Sequence, residues 1–543
     1  MKRALVINTT RMGDLIQSTP LMQGLQASGY EVSLLYSEGF HEIAPMLAGV
    51  DHLIPFSLAE IVNPLVVQGA NYFDAYKALS ASLGRLRREN FDLVINATHS
   101  AYSAMMTTII SGARTTGLTC DQHGKLTNTN DWARYYLTSQ ACRETNRFNL
   151  VDIHRMMSGN AGAFPVKLNV PNKANIVADQ ILAGYVEKDS ILIGIVPGAS
   201  TQEKTYPVEA VAQAVDSLGS SVPVKTVILG AKSESALGGT LERLLPGSLN
   251  LCGKTDIATL AALISRCRLI LSNDTGPMHI AAAVGTTVID ISLGSALASE
   301  TAPYGAGHYV IESKIGCHPC LPRLHCTHFT CGRSIPPEAI AKVAGAVIVG
   351  KPVVIDGDGC FDSVKLFRTE FDREGFLKLV SLTEAKEDRN AMLYRSMQQV
   401  WKEILDVELQ EEQENSDYYP SFDFTDVIDT FTKVVEIARI GRDSSAVMVN
   451  LAGESTQVET LKQLAGALQE IDRSLARIAY AFPYTMPFLT QFTSMKGSLV
   501  SATLADHASM TSGLFQNLEN WSTALIARLE KNSAVFNRRI DAA

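Results

Sequence analysis

Residues 272–284 read SNDTGPMHIAAAV, and this stretch decides the fold. The apolar run Leu269–Leu271 before it predicts a buried strand, and the alanine-rich run after it predicts a helix. Between them Asp274–Gly276 predicts a tight turn, and Pro277 stands where the first residue of a helix tolerates proline. A strand, a turn and a helix in this order are typical of a parallel sheet covered by helices.

The start of the helix at this turn is a candidate anion site. Its first N–H groups have no partner within the helix, and the helix dipole places partial positive charge there. A phosphate suits such a site best, and His279 could donate a hydrogen bond to the same anion. Alternatively, Asp274 only caps the helix and His279 packs in the core.

The composition describes a protein that can bury large cores. At 46% hydrophobic and 19% charged, the 543 residues suffice for about three domains. The net charge of −9 argues against a general nucleic-acid binder. We expect a cytoplasmic protein, because no apolar run approaches the ~20 residues that span a bilayer and the apolar start, ending at Ile7, is too short for a signal peptide. The nine cysteines are an odd number, with four clustered, which suits a reducing compartment better than a set of disulfides.

Strand and helix patterns alternate through the first part of the chain. Arg3–Ile7 predicts a strand, a helix follows, and the alternation continues to a strand at Asp92–Ala97. Ligands of such sheets lie at the carboxyl ends of the strands, and Asp14 and His99 lie just past two such ends. Asp14 could instead only cap its helix. Gly13 before it lets another group approach the backbone closely.

The pattern restarts after a looser stretch at 160–175, which carries little periodicity. We place the crossover between two α/β domains there and set their bounds at 1–170 and 171–350. In the second domain Ile191–Val196 predicts the first strand, followed by a turn. Two doubly wound domains in tandem predict a cleft between them, with the anion site on the second domain.

Several short motifs occur in a recognisable order: Met12-Gly13-Asp14, Pro197-Gly198-Ala199 with Lys204 and Tyr206-Pro207, Cys252-Gly253-Lys254-Thr255, the string DTGPMH at 274–279, and Pro303-Tyr304-Gly305. The chain resembles glycosyltransferase family 9, whose best-known members are bacterial ADP-heptose:lipopolysaccharide heptosyltransferases. The resemblance covers roughly residues 1–350 and is most specific in the DTGPMH string. It implies an α/β GT-B fold of two facing Rossmann-like domains. The acceptor binds mainly the first domain and the nucleotide-sugar donor mainly the second.

The resemblance also implies which residues bind the donor. The family's diphosphate-binding positions fall on the turn at 274–279, and its second phosphate-contacting loop falls on 200–204. Its acidic ribose contact lies near Gly230, where this chain continues AKSE. The donor-binding residues implied are Ser200, Thr201, Lys204, Glu234, Asp274, Thr275, Gly276 and His279.

The implied reaction inverts the anomeric carbon of the sugar and needs no catalytic metal. Helix N–H groups and cations must then stabilise the diphosphate leaving group, and Lys204 is the cation expected to act there. Asp14 matches the family's proposed general base, which takes the proton of the attacking acceptor hydroxyl. Arg11, Gly13 and His99 are expected on the acceptor side.

A separate cluster of cysteines predicts a structural metal site. Cys317, Cys320, Cys326 and Cys331 follow the spacing C-x2-C-x5-C-x4-C within the loop 317–331. Four thiolates so close in sequence suit tetrahedral Zn or Fe. The resemblance points the same way, since several family members carry a similar Cys-x-Pro-Cys stretch and some that heptosylate autotransporter proteins bind iron. Alternatively, the loop holds reduced cysteines, or forms disulfides on oxidation.

Residues 351–543 lie beyond the resemblance and predict an all-α extension. Apolar stripes run through 393–404 and 514–525, and between them Leu461–Ile478 follows a heptad-like spacing. The simplest interpretation is a helical bundle packed on itself or on the transferase. These helices could also join copies of the chain into a homo-oligomer.

We therefore expect an inverting glycosyltransferase that uses ADP-heptose. Its acceptor is the lipopolysaccharide core, another glycan, or a protein of the autotransporter or flagellin type. A glycolipid acceptor would suit peripheral association with the inner face of the inner membrane, and no nucleic-acid partner is expected. The alternative from another functional class is a non-catalytic scaffold that binds sugar nucleotides. The presence of Asp14, Lys204 and His279 together argues against it.

Overall fold

A computed structural model describes most of the chain. It covers residues 2–66, 71–110, 112, 114–121, 123–159, 162–187, 190–219, 223–320, 326–355, 357, 359–383, 389–407, 422–453 and 457–540, the side chains of 532–540 excepted. The chain divides into two compact units. The first takes in residues 1–126 and 148–385, and the second takes in residues 127–147 and 386–543.

The first α/β domain is built on one sheet. Its strands are β1 (Lys2–Ile7), β2 (Tyr30–Ser37), β3 (His52–Phe56), β4 (Leu93–Asn96), β5 (Arg114–Cys120) and β6 (Leu126–Asn128). The helices over this part of the chain are α1 (Met12–Gln17), α2 (Thr19–Ala27), α3 (Leu58–Val66), α4 (Tyr72–Arg88), α5 (Ala101–Ile110), α6 (Asp131–Ser139) and α7 (Leu150–Met157). The strand order is β3-β2-β1-β4-β5-β6, and β1 pairs in parallel with both β2 and β4. The carboxyl ends of these strands therefore share one edge, from which Asp14 and His99 follow.

The second α/β domain repeats the plan with a larger sheet. Its strands are β7 (Ile191–Val196), β8 (Val224–Ile228), β9 (Leu249–Asn250), β10 (Leu269–Asn273), β11 (Thr287–Ser292), β12 (Tyr309–Ser313), β13 (Val364–Phe371) and β14 (Leu377–Ser381). Its helices are α8 (Asn172–Leu182), α9 (Val208–Gly219), α10 (Ser235–Leu244), α11 (Ile257–Ile264), α12 (Gly276–Ala283), α13 (Ala298–Thr301), α14 (Thr330–Arg333) and α15 (Pro337–Val349). The strand order is β14-β13-β12-β11-β10-β7-β8-β9. The predicted strand, turn and helix around residues 272–284 are confirmed as β10 and α12.

The hairpin of β13 and β14 corrects the expected bound at residue 350. Both strands run antiparallel and extend the second sheet beyond β12. Val364 and Leu366 are fully buried in the core of this domain. The backbone N–H of Leu377 donates to the Asp152 carboxylate at 2.9 Å. The α/β unit therefore continues to residue 385, and the expected all-α extension from 351 begins only after it.

The helical unit is discontinuous in sequence. Its C-terminal helices are α16 (Arg389–Ile404), α17 (Thr425–Leu451), α18 (Val458–Ala481), α19 (Met486–Gly497) and α20 (Leu504–Ile540). Helix α6, from inside the expected first domain, belongs to the same unit. Its Tyr135 packs on Trp401 with ring centroids 5.0 Å apart, and Trp401 packs on Phe488 at 5.1 Å. The expected first domain, 1–170, is thus interrupted at 127–147.

The heptad-like seam Leu461–Ile478 lies on α18. Of its six apolar residues only Leu475 is buried, and the other five are half-buried: Leu461, Leu464, Leu468, Ile471 and Ile478. The stripes on α16 and α20 are by contrast well covered, with Trp401 and Leu525 both buried. The helical core therefore lies around α16, α17 and α20 rather than along the seam.

In the described ranges, none of the helices combines the length and apolar character that a bilayer crossing requires.

Candidate active site

Two helix starts, one from each α/β domain, meet at the candidate site. α1 and α12 pack against each other. A Cβ atom added to Gly13 would lie 2.7 Å from Cδ2 of His279, and one added to Gly276 would collide with Cε of Met12. The two glycines therefore let the MGD motif of the first domain reach the DTGPMH turn of the second.

Asp14 stands at the third position of α1, half-buried at this meeting point. Its carboxylate accepts a hydrogen bond from the backbone N–H of Arg11 at 3.2 Å, so Asp14 does cap its own helix. Its charge also acts on His279, where it opposes the lowering of the histidine pKa by burial. Asp14 thus both caps α1 and faces the second domain. Arg11 is the exposed residue that precedes α1.

On the donor side, the start of α12 has the form expected of an anion site. Thr275 precedes the helix with extended backbone, and its side chain makes no capping hydrogen bond. Gly276 opens the helix, and Pro277 follows in its first turn. Pro277 has no N–H, and the N–H of Met278 donates to the carbonyl of Thr275 at 3.1 Å, so the N–H of Gly276 is the first-turn donor that this helix start offers to an oxyanion.

Lys204 and Asp274 form a buried ion pair beside this turn. Nζ of Lys204 lies 2.9 Å from Oδ2 of Asp274, and the two side chains are 13% and 8% exposed. A lysine ammonium has three N–H donors, so this bond leaves two for another acceptor. The pair thus places a cation at the helix start without exhausting its hydrogen-bonding capacity.

Asp290, on β11, is a third ionisable group that interacts electrostatically with Lys204 and Asp274. Its carboxyl is fully buried, and within the described part of the chain its Oδ1 has no hydrogen-bond partner. Burial raises the pKa of Asp290 well above its usual range, the charges of Asp274 and Glu312 add to this, and Lys204 opposes it. Burial thus favours the protonated form of Asp290, and the Asp274 carboxylate is the group that pairs with Lys204.

His279 lies on the first turns of α12, 6% exposed. Burial lowers the pKa of His279 below its usual value, whereas the carboxylates of Asp274 and Asp14 act in the opposite direction. Lys204 adds to the lowering. The ring is therefore neutral at pH 7 and can donate one hydrogen bond rather than two.

Asn273 positions the loop at 197–206, a role that the sequence did not reveal. Its side-chain amide donates to the carbonyls of Pro197 and Gly198 at 3.3 and 3.2 Å, and its Oδ1 accepts from the N–H of Tyr206 at 2.9 Å. These bonds tie both ends of the loop to the end of β10. The only signal was a polar residue closing a buried apolar strand.

The three predicted donor-binding residues of that loop differ in their exposure to solvent. Ser200 and Thr201 are exposed, and Thr201 begins a short turn of 3-10 helix that ends at Lys204. The N–H of Lys204 donates to the carbonyl of Thr201 at 3.2 Å. The turn thereby aims the lysine at Asp274.

Glu234 lies at the same edge of the second sheet. Its carboxylate accepts from the N–H of Ala231 at 2.6 Å and packs so closely on Gly198 and Gly230 that neither could carry a Cβ without moving it. Burial raises the pKa of Glu234, and the bond from Ala231 opposes this. The structure thus brings Glu234 beside the loop at the carboxyl ends of β7 and β8.

His99 lies in a different setting from Arg11 and Gly13, the other residues expected on the acceptor side. Its backbone has a positive φ of 55°, and its ring stacks on that of His154 with centroids 5.9 Å apart. Burial lowers the pKa of His99 to about 4. The ring is therefore neutral and stacks on the buried His154, and the acceptor-side role of His99 stays a prediction.

The four clustered cysteines lie near one another in the second domain. Cys331 is buried in the core and Cys317 is exposed. Burial raises the pKa of Cys320, and the thiols of Cys331, Cys326 and Cys317 add to the effect. Residues 321–325 of this loop are outside the described ranges. Among the residues that the structure describes, no group of three or more His, Cys, Asp or Glu side chains is placed to hold a metal ion. A metal at these cysteines therefore stays a prediction.

Comparisons with known proteins agree with this arrangement. Residues 81–328 match the model of glycosyltransferase family 9 (heptosyltransferase). Two relatives, both named lipooligosaccharide heptosyltransferase 2, come from Campylobacter jejuni serotypes O:2 and O:6. They are 28% and 29% identical over 161 and 159 residues, in each case 28% of this chain. The chain spans only about half the length of these relatives, 50% and 49%.

A solved structure shows the shared fold. The glycosyl transferase family 9 protein from Veillonella parvula aligns over 64% of this chain and 98% of its own length, with a TM-score of 0.50 and 19% identity. The family match includes the turn at 274–279 and the loop at 200–204, but it begins after Asp14. Residues 81–328 are therefore similar to glycosyltransferase family 9, and the two α/β domains share the fold of the Veillonella parvula structure, as the motifs had implied.

Proposed function

We propose that this protein is an inverting glycosyltransferase that transfers heptose from ADP-heptose to an acceptor hydroxyl bound at the first domain, and that it works in the cytoplasm. One observation carries the proposal. The Asp14 carboxylate of the first domain acts on His279, at the helix start where the Lys204–Asp274 pair also converges. The proposed base, on the first domain, therefore lies close to the proposed anion site, on the second domain.

The second domain would stabilise the leaving diphosphate. The N–H of Gly276 and the positive end of the α12 dipole would face the negative charge that develops on the diphosphate. Lys204 can donate to a phosphate oxygen while it keeps its bond to Asp274. Neutral His279 adds one N–H donor. Glu234, beside the loop at Gly198, is the acidic group available to the nucleoside ribose.

The first domain would supply the base. As the acceptor oxygen attacks the anomeric carbon, its proton passes to Asp14, and the bond from that carbon to the diphosphate oxygen breaks. The electron pair of the broken bond stays on the diphosphate. The attack comes from the face opposite the leaving group, so the anomeric configuration inverts.

A binding screen tests the donor. ADP and ADP-heptose should raise the melting temperature with increasing concentration, because a ligand that binds the folded state stabilises it by mass action. UDP- and GDP-sugars serve as matched controls and should shift the melting temperature less. Absence of a shift with every nucleotide sugar would overturn the proposal and favour a protein without donor chemistry.

A small substitution tests the contact between the domains. Gly13→Ala places a methyl group 2.7 Å from the buried ring of His279, so the ring or α1 must shift. We expect kcat/KM to fall about 10²-fold, which is the loss typical of misplacing a reacting group by about 1 Å. Gly239→Ala in α10 is the control, because no atom lies within 4 Å of the added carbon. Equal activity of the two variants would show that the glycine contact is irrelevant to catalysis.

The proposal includes a structural Zn or Fe at Cys317, Cys320, Cys326 and Cys331, through which no catalytic step passes. The spacing and the nearness of the thiols support it, although the described residues do not themselves form a coordination group. Protein purified without metal resin should contain about one equivalent of metal. Cys320→Ser should lose it and Cys120→Ser should not. A metal-free sample that is folded and active would rule the site out.

A further inference from the structure

Helix α7 of the first domain carries a buried ion pair that takes no part in the proposed reaction. Nε of Arg155 lies 2.9 Å from Oδ1 of Asp152, and the two side chains are 1% and 0% exposed. A buried ion pair is weak evidence for stability, because the cost of removing two charges from water can exceed the attraction between them. The groups that bind this pair therefore indicate its role better than its charge does.

Groups of the second domain complete the hydrogen bonding of the pair. The Tyr304 hydroxyl donates to Oδ1 of Asp152 at 2.8 Å, and the backbone N–H of Leu377 donates to Oδ2 at 2.9 Å. Nη2 of Arg155 donates to the backbone carbonyl of Gly375 at 3.1 Å. Segments of the second domain that lie far apart in sequence thus meet on α7. We call this set the interdomain clasp; it consists of Asp152, Arg155, Tyr304, Gly375 and Leu377.

Aromatic rings pack around the clasp and keep water out of it. Tyr304 and Phe376 are both buried. The Phe376 ring packs on that of Phe148 with centroids 5.5 Å apart, and the Tyr304 ring packs on that of Phe371 at 5.3 Å. Where water is excluded, a hydrogen bond that breaks is not replaced by one to solvent. The clasp therefore resists a displacement of α7 from the second domain.

The turn of the β13–β14 hairpin is shaped to meet α7. The Asp372 carboxylate accepts from the N–H of Phe376 at 2.8 Å, and the Asp372 carbonyl accepts from the N–H of Gly375 at 3.1 Å. Gly375 has a φ of 77°, which residues with a side chain rarely adopt. The closed turn thereby holds the Gly375 carbonyl and the Leu377 N–H where the α7 pair can bind them.

Helix α7 also packs against α1, the helix that carries Asp14. α1 meets α12 through the close approach of Gly13 to His279, and among the described residues no hydrogen bond joins these two helices. Packing alone allows helices to slide, whereas a hydrogen bond is lost once its donor and acceptor separate beyond about 3.5 Å. The clasp therefore supplies directional contacts between the domains that the described α1–α12 interface lacks.

We propose that Asp152 and Arg155 are positioning residues, which hold Asp14 at its working distance from the start of α12 through the clasp and helix α7. The inference rests on the proposed function and adds to it residues that touch neither substrate. A clasp that loosens lets α1 move, and a misplacement of about 1 Å can lower a rate about 10²-fold. ADP affinity should not change, because the proposed donor contacts all lie on the second domain.

Tyr304→Phe is the variant that loosens the clasp most gently. It removes one hydrogen bond to Asp152 and keeps the ring that packs on Phe371. A substitution of Asp152 itself would leave the buried Arg155 without its charged partner and threaten the fold. Tyr304→Phe should lower kcat about tenfold, since a hydrogen bond to a charged group contributes about the free energy of one tenfold change. Its ADP affinity should equal that of the wild type.

A double-mutant cycle tests whether the clasp acts through Asp14. In an Asp14→Asn background, Tyr304→Phe should lower kcat no further, because no base remains to be positioned. A purely structural role of Tyr304 would instead lower kcat by the same factor in both backgrounds. That result, or an unchanged kcat of the single variant Tyr304→Phe, would overturn the inference.

Tyr185→Phe is the matched control for the clasp variant. The Tyr185 hydroxyl donates to the carbonyls of Thr226 and Gly247 at 2.7 and 2.9 Å, both within the second domain. Its loss leaves the clasp intact, so kcat should not change. A loss of kcat equal to that of Tyr304→Phe would show that the effect does not depend on a bond between the domains.

Hydrogen exchange examines the clasp without any measurement of activity. The Leu377 amide should exchange slowly in the wild type and faster in Tyr304→Phe, because its bond to Asp152 is part of the clasp. Exchange in the wild type as fast as in an unstructured peptide would rule the clasp out. ADP binding and the kcat of Asp14→Asn alone are measured first. Failure there contradicts the proposed function, and the exchange of the Leu377 amide then still decides whether the clasp exists.

Discussion

Replacing Asp14 with asparagine should lower kcat about 10²- to 10⁴-fold, the range of general-base catalysis. Asparagine keeps an oxygen that can accept the bond from the Arg11 N–H, so the cap of α1 and the fold should survive. It cannot take a proton from the acceptor hydroxyl. ADP binding, measured by titration, should stay nearly unchanged, because the proposed donor contacts all lie on the second domain.

Asp74→Asn is the matched control for this variant. Asp74 occupies the same third helical position in α4, and its carboxylate is exposed and bonds to Asn71. Its replacement should leave kcat unchanged. If Asp14→Asn also retains activity within a factor of about three, Asp14 is only a cap and another group must act as the base.

Replacing Lys204 with methionine should lower the catalytic rate, the affinity for ADP and the stability of the fold. The Asp274 carboxylate, 8% exposed, would be left without its partner. Breaking a buried ion pair from one side costs about 3–5 kcal/mol. ADP should bind about 10- to 100-fold more weakly, since a charge-assisted hydrogen bond contributes about 1.5–3 kcal/mol. Loss of leaving-group stabilisation should lower kcat by about 10²–10³.

A second substitution separates the two effects. Lys204→Met combined with Asp274→Asn removes the stranded charge, so the melting temperature should recover while ADP binding stays weak. Lys225→Met is the control: its pair with Glu187 spans 3.7 Å with side chains 35% and 81% exposed. Such a surface pair contributes less than about 1 kcal/mol. Wild-type ADP affinity in Lys204→Met would remove Lys204 from the donor site.

Much of the fold was predictable because the signals are local. The strand, turn and helix at 269–284 follow from an apolar run, a proline at a helix start and an alanine-rich continuation. The hairpin of β13 and β14 also had a signal, since VKLFRTEF alternates and the turn residues Asp372–Gly375 follow. The prediction of one helical extension over residues 351–543 overlooked this hairpin signal.

The remainder depends on contacts between residues far apart in sequence. Nothing in the sequence near Tyr135 indicates that its ring packs on Trp401. The bonds of Asn273 to both ends of the loop at 197–206 likewise depend on the sheet being assembled. Motif matches predicted which residues form the site, but the pairing of Lys204 with Asp274 and the burial of Asp290 near it are seen only in the three-dimensional structure.

The assignment of α6 to the helical unit has a consequence for biosynthesis. The ribosome releases Trp132 and Tyr135 well before residue 386 and the helices that bury them have been translated. At about 5–20 residues per second the delay is on the order of tens of seconds. During that time the nascent chain exposes apolar side chains that aggregate readily. We therefore expect the growing polypeptide to need a holding chaperone until its last helices emerge.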